Sequence, residues 1–319
     1  MVSAAVEIPI IDVAALLDAT PAGEQAAARA IGQACRDIGF FYVAGHGIPR
    51  ALLADVFRQS AAFFAAPRSI QDSVRYSGPA GNRGYVPLGG ETLAPGTPPD
   101  HKECYNIGLE LPEDDPELLA GKPFRHRNPW PELPGFRQTM LDYFGRVHRL
   151  GRDIHRAFAI DLGLDRQFFE DKLDRPMAIL RLLHYPAAGA ALPAGQTGAG
   201  EHTDYGNLTL LAVDEVKGLA VRTRSGEWIE APHVPGALIC NIGDCLMRWT
   251  NDTYVSTPHR VTSPRERDRY SVVFFLDPNP DAVVACLPGR GRDGVAHYPP
   301  VVAADYLLSR LVPTYEKAG

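Results

Sequence analysis

Apolar residues at Phe136, Met140, Tyr143, Phe144, Val147, Leu150, Ile154 and Phe158 recur every three or four positions. That is the spacing of one helix face, and it predicts a single long amphipathic helix beginning after Pro134. A shorter run of the same kind, Ala27, Ala30, Ile31, Ala34 and Ile38, predicts a helix over about 23–37. Further helices are expected over 50–66, 166–173 and 303–312. Residues 8–12 read as a short strand, and residues 39–43 as a buried strand that ends where Gly45, Gly47 and Pro49 mark a turn. From 77 to 134 the chain is rich in Gly and Pro without long periodic segments, apart from a strand around 103–109, and is read as loops covering one face of the core.

Past Pro176 the pattern changes to short β-rich runs at 177–185, 208–213, 219–223, 228–231, 237–242, 256–261, 269–276 and 283–285. Turn residues such as Ser225-Gly226, Pro235-Gly236 and Pro264 separate them. Strands so spaced predict a sandwich or jelly roll closed by hairpins. The expected fold is therefore α+β and mainly β: a double-stranded β-helix (jelly-roll) core over 177–290, a supporting helical and loop region over 1–135, and a C-terminal helix packed back on the core. All 319 residues are expected to form a single domain.

Composition narrows the function classes. Hydrophobic content of 45% and charged content of 22% are those of an ordinary folded protein. The net charge of −6 argues against nucleic-acid binding, which needs clustered Lys and Arg, and favours a small-molecule substrate. Neither a signal peptide nor a membrane span is readable, so a cytoplasmic location is expected. Five cysteines without Cys-x-x-Cys spacing argue against a disulfide framework or structural zinc and should be reduced and buried. Nothing in the sequence specifies an oligomeric state.

The chemistry concentrates in a few positions. In Glu201-His202-Thr203-Asp204-Tyr205-Gly206, an extended start would put His202 and Asp204 on one strand face. A His-x-Asp triplet alone carries little weight, but His259 would complete two imidazoles and one carboxylate on one face of an octahedron. Three adjacent positions stay free in that arrangement, which is associated with non-haem Fe(II) enzymes that bind a cosubstrate and dioxygen together. His259 lies fifty-five residues beyond Asp204, so the groups meet only if the sheet folds back on itself. In Arg269-Tyr270-Ser271 the first and third residues share a face of a strand that continues as an apolar run. An inward guanidinium there demands either an anionic ligand, to which Ser271 adds a further bond, or an internal Asp or Glu partner. Tyr185 could aim its hydroxyl at the same anion with Arg181 four residues back on its face, or both could be ordinary strand packing. Arg83, Tyr85, Glu91, Tyr105 and Phe275 are candidates for a substrate-pocket wall.

At this point the chain resembles the isopenicillin N synthase-like family of Fe(II)/2-oxoglutarate-dependent oxygenases, which also includes the plant hormone oxidases and the bacterial ethylene-forming enzyme. Ile8-Pro9-Ile10-Ile11-Asp12 and the stretch from Gly39 through Pro49 resemble its N-terminal region. His202-Thr203-Asp204-Tyr205-Gly206, Asn241-Ile242-Gly243-Asp244, Thr257-Pro258-His259-Arg260-Val261 and Arg269-Tyr270-Ser271 resemble its catalytic core. The resemblance implies that His202, Asp204 and His259 bind Fe(II), that Arg269 and Ser271 hold the distal carboxylate of 2-oxoglutarate with Tyr185 in support, and that Arg181 lies near cosubstrate and substrate. It further implies O2-dependent oxidation of an unactivated C–H bond, by hydroxylation or desaturation, with release of succinate and CO2. Two alternatives stand beside it. One is an isopenicillin N synthase-like oxidase or cyclase whose Arg-x-Ser pair holds the substrate's own carboxylate. The other is a non-catalytic jelly-roll binding protein. A zinc hydrolase lacks an evident general base.

Overall fold

The computed structural model describes residues 7–189, 192–289 and 295–316. In chain order the strands are β1 (Ile10–Asp12), β2 (Phe40–Ala44), β3 (Gly84–Val86), β4 (Glu103–Gly108), β5 (Ile179–Tyr185), β6 (Ala199–His202), β7 (Leu208–Val213), β8 (Leu219–Arg222), β9 (Trp228–Glu230), β10 (Leu238–Ile242), β11 (His259–Val261), β12 (Arg269–Leu276), β13 (Val283–Val284) and β14 (Val301–Val302). Eight of them form one sheet in the order β1-β2-β10-β7-β12-β5-β4-β3, and four form a second in the order β6-β11-β8-β9. The two sheets make a double-stranded β-helix core.

Alternation along the strands explains why one sheet can serve two interiors, because successive side chains point to opposite faces. In β12, Val272, Phe274 and Leu276 join Leu180 and Leu182 of β5 and Leu208 and Leu210 of β7 in a core shared with the helices. The alternate residues Leu183, Tyr185, Ile239 and Val273 belong to a second apolar cluster with Ala199, Val221 and Val261 of the smaller sheet. The first layer carries the fold's bulk. The second surrounds the chemistry.

The helix over Pro21–Asp37 starts earlier than its apolar spacing predicts, since Thr20 accepts from the Gly23 amide and Pro21 takes the first helical position. The long helix spans Phe136–Asp161 and buries the stripe that predicted it. Helices also run over Arg50–Phe64 and Ala303–Glu316. The helix expected over 166–173 is reduced to a single 3-10 turn at Glu170–Lys172. Its backbone is taken up elsewhere: the Lys172 carbonyl accepts from Asn279 N at 2.7 Å, and His148 Nε2 meets the Leu173 carbonyl at 3.1 Å. A short helix over Asp244–Trp249 and strands β3 and β14 have no counterpart in the sequence reading. The cysteines are free, and Cys35, Cys104, Cys240 and Cys245 are buried. Among the described residues no helix is long and apolar enough to cross a membrane.

His184 of β5 ties β4 to the start of β12, contacting Glu103 at 2.7 Å through Nδ1 and Asp268 at 3.0 Å through Nε2. Burial draws its pKa down, but the two carboxylates outweigh that and leave it raised. A raised folded-state pKa means stabilisation that is complete below about 6.5, the ordinary histidine value, and is lost as pH rises through the folded value. Thermal melts should therefore show His184→Asn costing more at pH 6 than at pH 9. An equal cost at both would exclude the charged pairing.

Candidate metal centre

Strands β6 and β11 lie antiparallel with His202 directly opposite His259. The fold-back that the sequence demanded is thus a single pair of adjacent strands. β6 stops at His202, so Asp204 is not on the same strand face as expected. It reaches the same point from the turn that follows, held there by its own carbonyl accepting from Asp244 N at 2.8 Å. That turn is tight: a Cβ on Gly206 would collide with Asp277 Oδ1.

Each group is aimed by a partner. His202 Nδ1 lies 2.7 Å from the Gly200 carbonyl and His259 Nδ1 lies 3.1 Å from the Thr257 carbonyl. A carbonyl only accepts, so each Nδ1 carries the proton and each Nε2 turns its lone pair inward. Asp204 Oδ2 accepts from Thr209 Oγ1 at 2.5 Å and from Asn241 Nδ2 at 2.6 Å. Oδ1 is left 3.8 Å from His202 Nε2 and 3.6 Å from His259 Nε2. One ligand atom from each residue lies within 4.8 Å of the others. Burial, reinforced by His259, holds the His202 imidazole well below its ordinary pKa and therefore neutral. Burial pushes Asp204 up, yet the imidazoles and its two hydrogen bonds outweigh that and keep it ionised. Two imidazoles and one carboxylate converge on a point. This donor set suits Fe(II) with open positions.

The centre opens into a cavity of about 130 Å³ whose wall includes Arg269, Ser271, Val273 and Phe275 of β12 and Arg181, Leu183 and Tyr185 of β5. Arg269 is 2% exposed. Its Nε donates to the Val216 carbonyl at 3.2 Å, its guanidinium lies 4.9 Å from the centre of the Tyr185 ring, and its buried Nη1 meets no partner among the described residues. Among the described residues no Asp or Glu pairs with it. A buried cation that lacks a counter-charge fits the distal carboxylate of 2-oxoglutarate, with the Ser271 hydroxyl beside it.

Of the proposed wall residues, Glu91 and Phe275 border the cavity, as does Arg181, expected near the substrate. Arg83, Tyr85 and Tyr105 do not. Tyr85 and Tyr105 point to the helix side of β3 and β4, packed on Phe63, and their hydroxyls donate to Glu103 and to the Pro129 carbonyl. Arg83 lies against Gly108 and donates to the Gly81 and Phe124 carbonyls. The opposite parity of β4 supplies Asn106 to the cavity instead.

Arg181 is not a free cation. Its Nη2 donates to Glu91 Oε1 at 2.5 Å and to the Tyr315 hydroxyl at 2.6 Å, and its Nε donates to Asn106 Oδ1 at 2.8 Å. Lys102, 4% exposed, pairs with Asp100 and Glu91. Leu307, Leu311, Thr314 and Tyr315 of the C-terminal helix close this side of the cavity. Sequence reasoning missed Lys102, Asn106 and Tyr315, since nothing local marks them as interior.

Comparison with known proteins agrees with this geometry. Residues 8–133 match the family described as non-haem dioxygenase in morphine synthesis N-terminal, and residues 176–278 match the 2OG-Fe(II) oxygenase superfamily. The 2-oxoglutarate-Fe(II) type oxidoreductase hxnY of Emericella nidulans is 34% identical over 97% of this chain and 91% of its own length. Homoarginine-6-hydroxylase 2-ODD-C23 of Glycine max is 38% identical over 87% of each chain. The crystal structure of a full-length Neurospora crassa protein in complex with alpha-KG and thymine superposes with a TM-score of 0.86 at 35% identity, covering 97% of both chains. With its two-histidine, one-carboxylate centre and its buried guanidinium, the chain belongs to the Fe(II)/2-oxoglutarate-dependent oxygenases and uses Fe(II), 2-oxoglutarate and O2.

Proposed function

We propose that this oxygenase hydroxylates an unactivated C–H bond of a small molecule, releasing succinate and CO2. The reading is carried by Arg269, a buried guanidinium whose Nη1 meets no partner among the described residues, in the cavity that the metal ligands border. Bound there, Fe(II) with 2-oxoglutarate and O2 supplies an oxidant strong enough for such bonds. His202, Asp204 and His259 would hold the metal, and Arg269 with Ser271 would hold the cosubstrate. The apolar wall of Leu183, Val273 and Phe275 excludes water and orients the bond to be attacked.

Desaturation would need the same residues, but several of the similar proteins are named as hydroxylases. The test is to follow O2 uptake and succinate release together while candidate metabolites are screened, then to weigh the product. A gain of one oxygen atom in the product, with succinate matching O2, is expected. Substrate-dependent O2 uptake without succinate would instead assign Arg269 to a carboxylate of the substrate itself.

A further inference from the structure

The end of the cavity away from Arg269 is a wall of charged groups that cancel one another. Glu91, Lys102 and Arg181 border the cavity, with Asp100 behind Lys102. Arg181 pairs with Glu91 at 2.5 Å, and Lys102 pairs with Asp100 and with Glu91 at 3.3 Å. Two cations thus meet two anions. Burial pushes the Glu91 carboxyl up, but Arg181 and Lys102 outweigh this and hold it at about 2, fully ionised at neutral pH. Tyr315 joins the same cluster, its hydroxyl accepting from Arg181 Nη2 at 2.6 Å and its ring stacked on Tyr76 at 4.6 Å. The remaining carboxylate, Asp277, is occupied by the turn after Asp204, where it accepts from the Asn207 amide at 3.3 Å.

Asn82 adds the group that a ligand can use. It borders the cavity, 6% exposed, in a left-handed conformation with φ of 49° that asparagine tolerates better than most residues. Its Oδ1 accepts from Asn106 Nδ2 at 2.9 Å and from the Tyr76 hydroxyl at 3.3 Å. With Oδ1 engaged, the donor capacity of Asn82 rests in its NH2, which meets no acceptor among the described residues.

Resting on the oxygenase reading above, we infer that the chamber takes an uncharged substrate bearing a carbonyl or similar acceptor, which the Asn82 amide reads, and that Glu91 serves to neutralise Arg181 and Lys102 rather than to bind a cationic substrate. A carboxylate entering this wall would have to displace Glu91 from Arg181. A guanidinium would have to displace Arg181 from Glu91. Either exchange costs a buried ion pair with good geometry, whereas an uncharged ligand leaves the wall intact. The cavity of about 130 Å³ also favours a compact molecule.

The experiment titrates anaerobic Fe(II) enzyme carrying 2-oxoglutarate with thymine, orotate and L-homoarginine as neutral, anionic and cationic probes. Perturbation of the visible 2-oxoglutarate band reports binding, and succinate release after admission of air reports coupling. Thymine should shift the band and accelerate succinate release, with both charged probes binding on the order of ten-fold more weakly. Glu91→Gln, which leaves the two cations undercompensated, should tighten orotate relative to thymine on the order of ten-fold. Asn82→Ala, which removes no charge, should weaken thymine roughly 2–10-fold and keep the 2-oxoglutarate band, so the inference is tested even if Glu91→Gln does not fold. The inference is overturned by a band that no probe shifts, by a charged probe outcompeting thymine, or by an Asn82→Ala enzyme that binds thymine as the parent does. Absence of the 2-oxoglutarate band before any probe is added would instead sink the oxygenase reading.

Discussion

Asp204→Ala is expected to abolish turnover and strip the protein of Fe(II), a loss beyond the roughly 10–100-fold that removal of an outer hydrogen-bond partner of a metal ligand costs. The carboxylate supplies the only negative charge of the three-residue donor set. It is also the group on which Thr209 and Asn241 converge from β7 and β10. Deleting it leaves two imidazoles facing each other with ring centres 4.3 Å apart and no anion between them. Equilibrium dialysis against Fe(II), with circular dichroism to establish that the fold survives, measures the effect. A folded Asp204→Ala protein that kept near-parental iron affinity and succinate formation would exclude this residue as a ligand.

The second large effect falls on the cosubstrate. Arg269→Gln should raise the KM for 2-oxoglutarate about 100-fold, the worth of one to two charge-assisted bonds, with a smaller change in kcat. Arg269→Lys should recover only part of the loss, because an ammonium is a point charge without the planar fork that grips a carboxylate, and it would sit differently over Tyr185. Steady-state kinetics in 2-oxoglutarate separates these outcomes. An unchanged KM in the glutamine variant would move the anchor to another residue.

Much of this architecture was legible from residue spacing. The stripe from Phe136 to Phe158 buries as its three- and four-residue steps require, and the short runs after Pro176 became strands at nearly their expected positions. The metal ligands were legible for a different reason: histidine and aspartate carry their chemistry in their identity, and only their meeting had to be supplied by topology. Arg83, Tyr85 and Tyr105 were misplaced for a physical cause. Nearly every residue of β4 is buried, on both faces, so its sequence has no polar alternation from which to read which side faces the cavity. Lys102 and Asp100 look like surface residues until their pairing is seen. The six-residue helix Asp244–Trp249 is too short to show a period. Tyr315 sits in a segment whose helical character was clear, but amphipathicity does not say where a helix will dock.

That docking has a consequence for how the enzyme comes into being. A ribosome releases residues 307–315 after every other part of the chamber, including all three metal ligands, has already emerged. Nascent chains can therefore assemble the iron-binding strands while one wall is still missing, and the chamber closes only when the helix over 303–316 settles against Arg181. Loss of the 303–316 helix should leave 2-oxoglutarate held at Arg269 but the chamber open, so that cosubstrate is turned over without a matching yield of oxidised substrate.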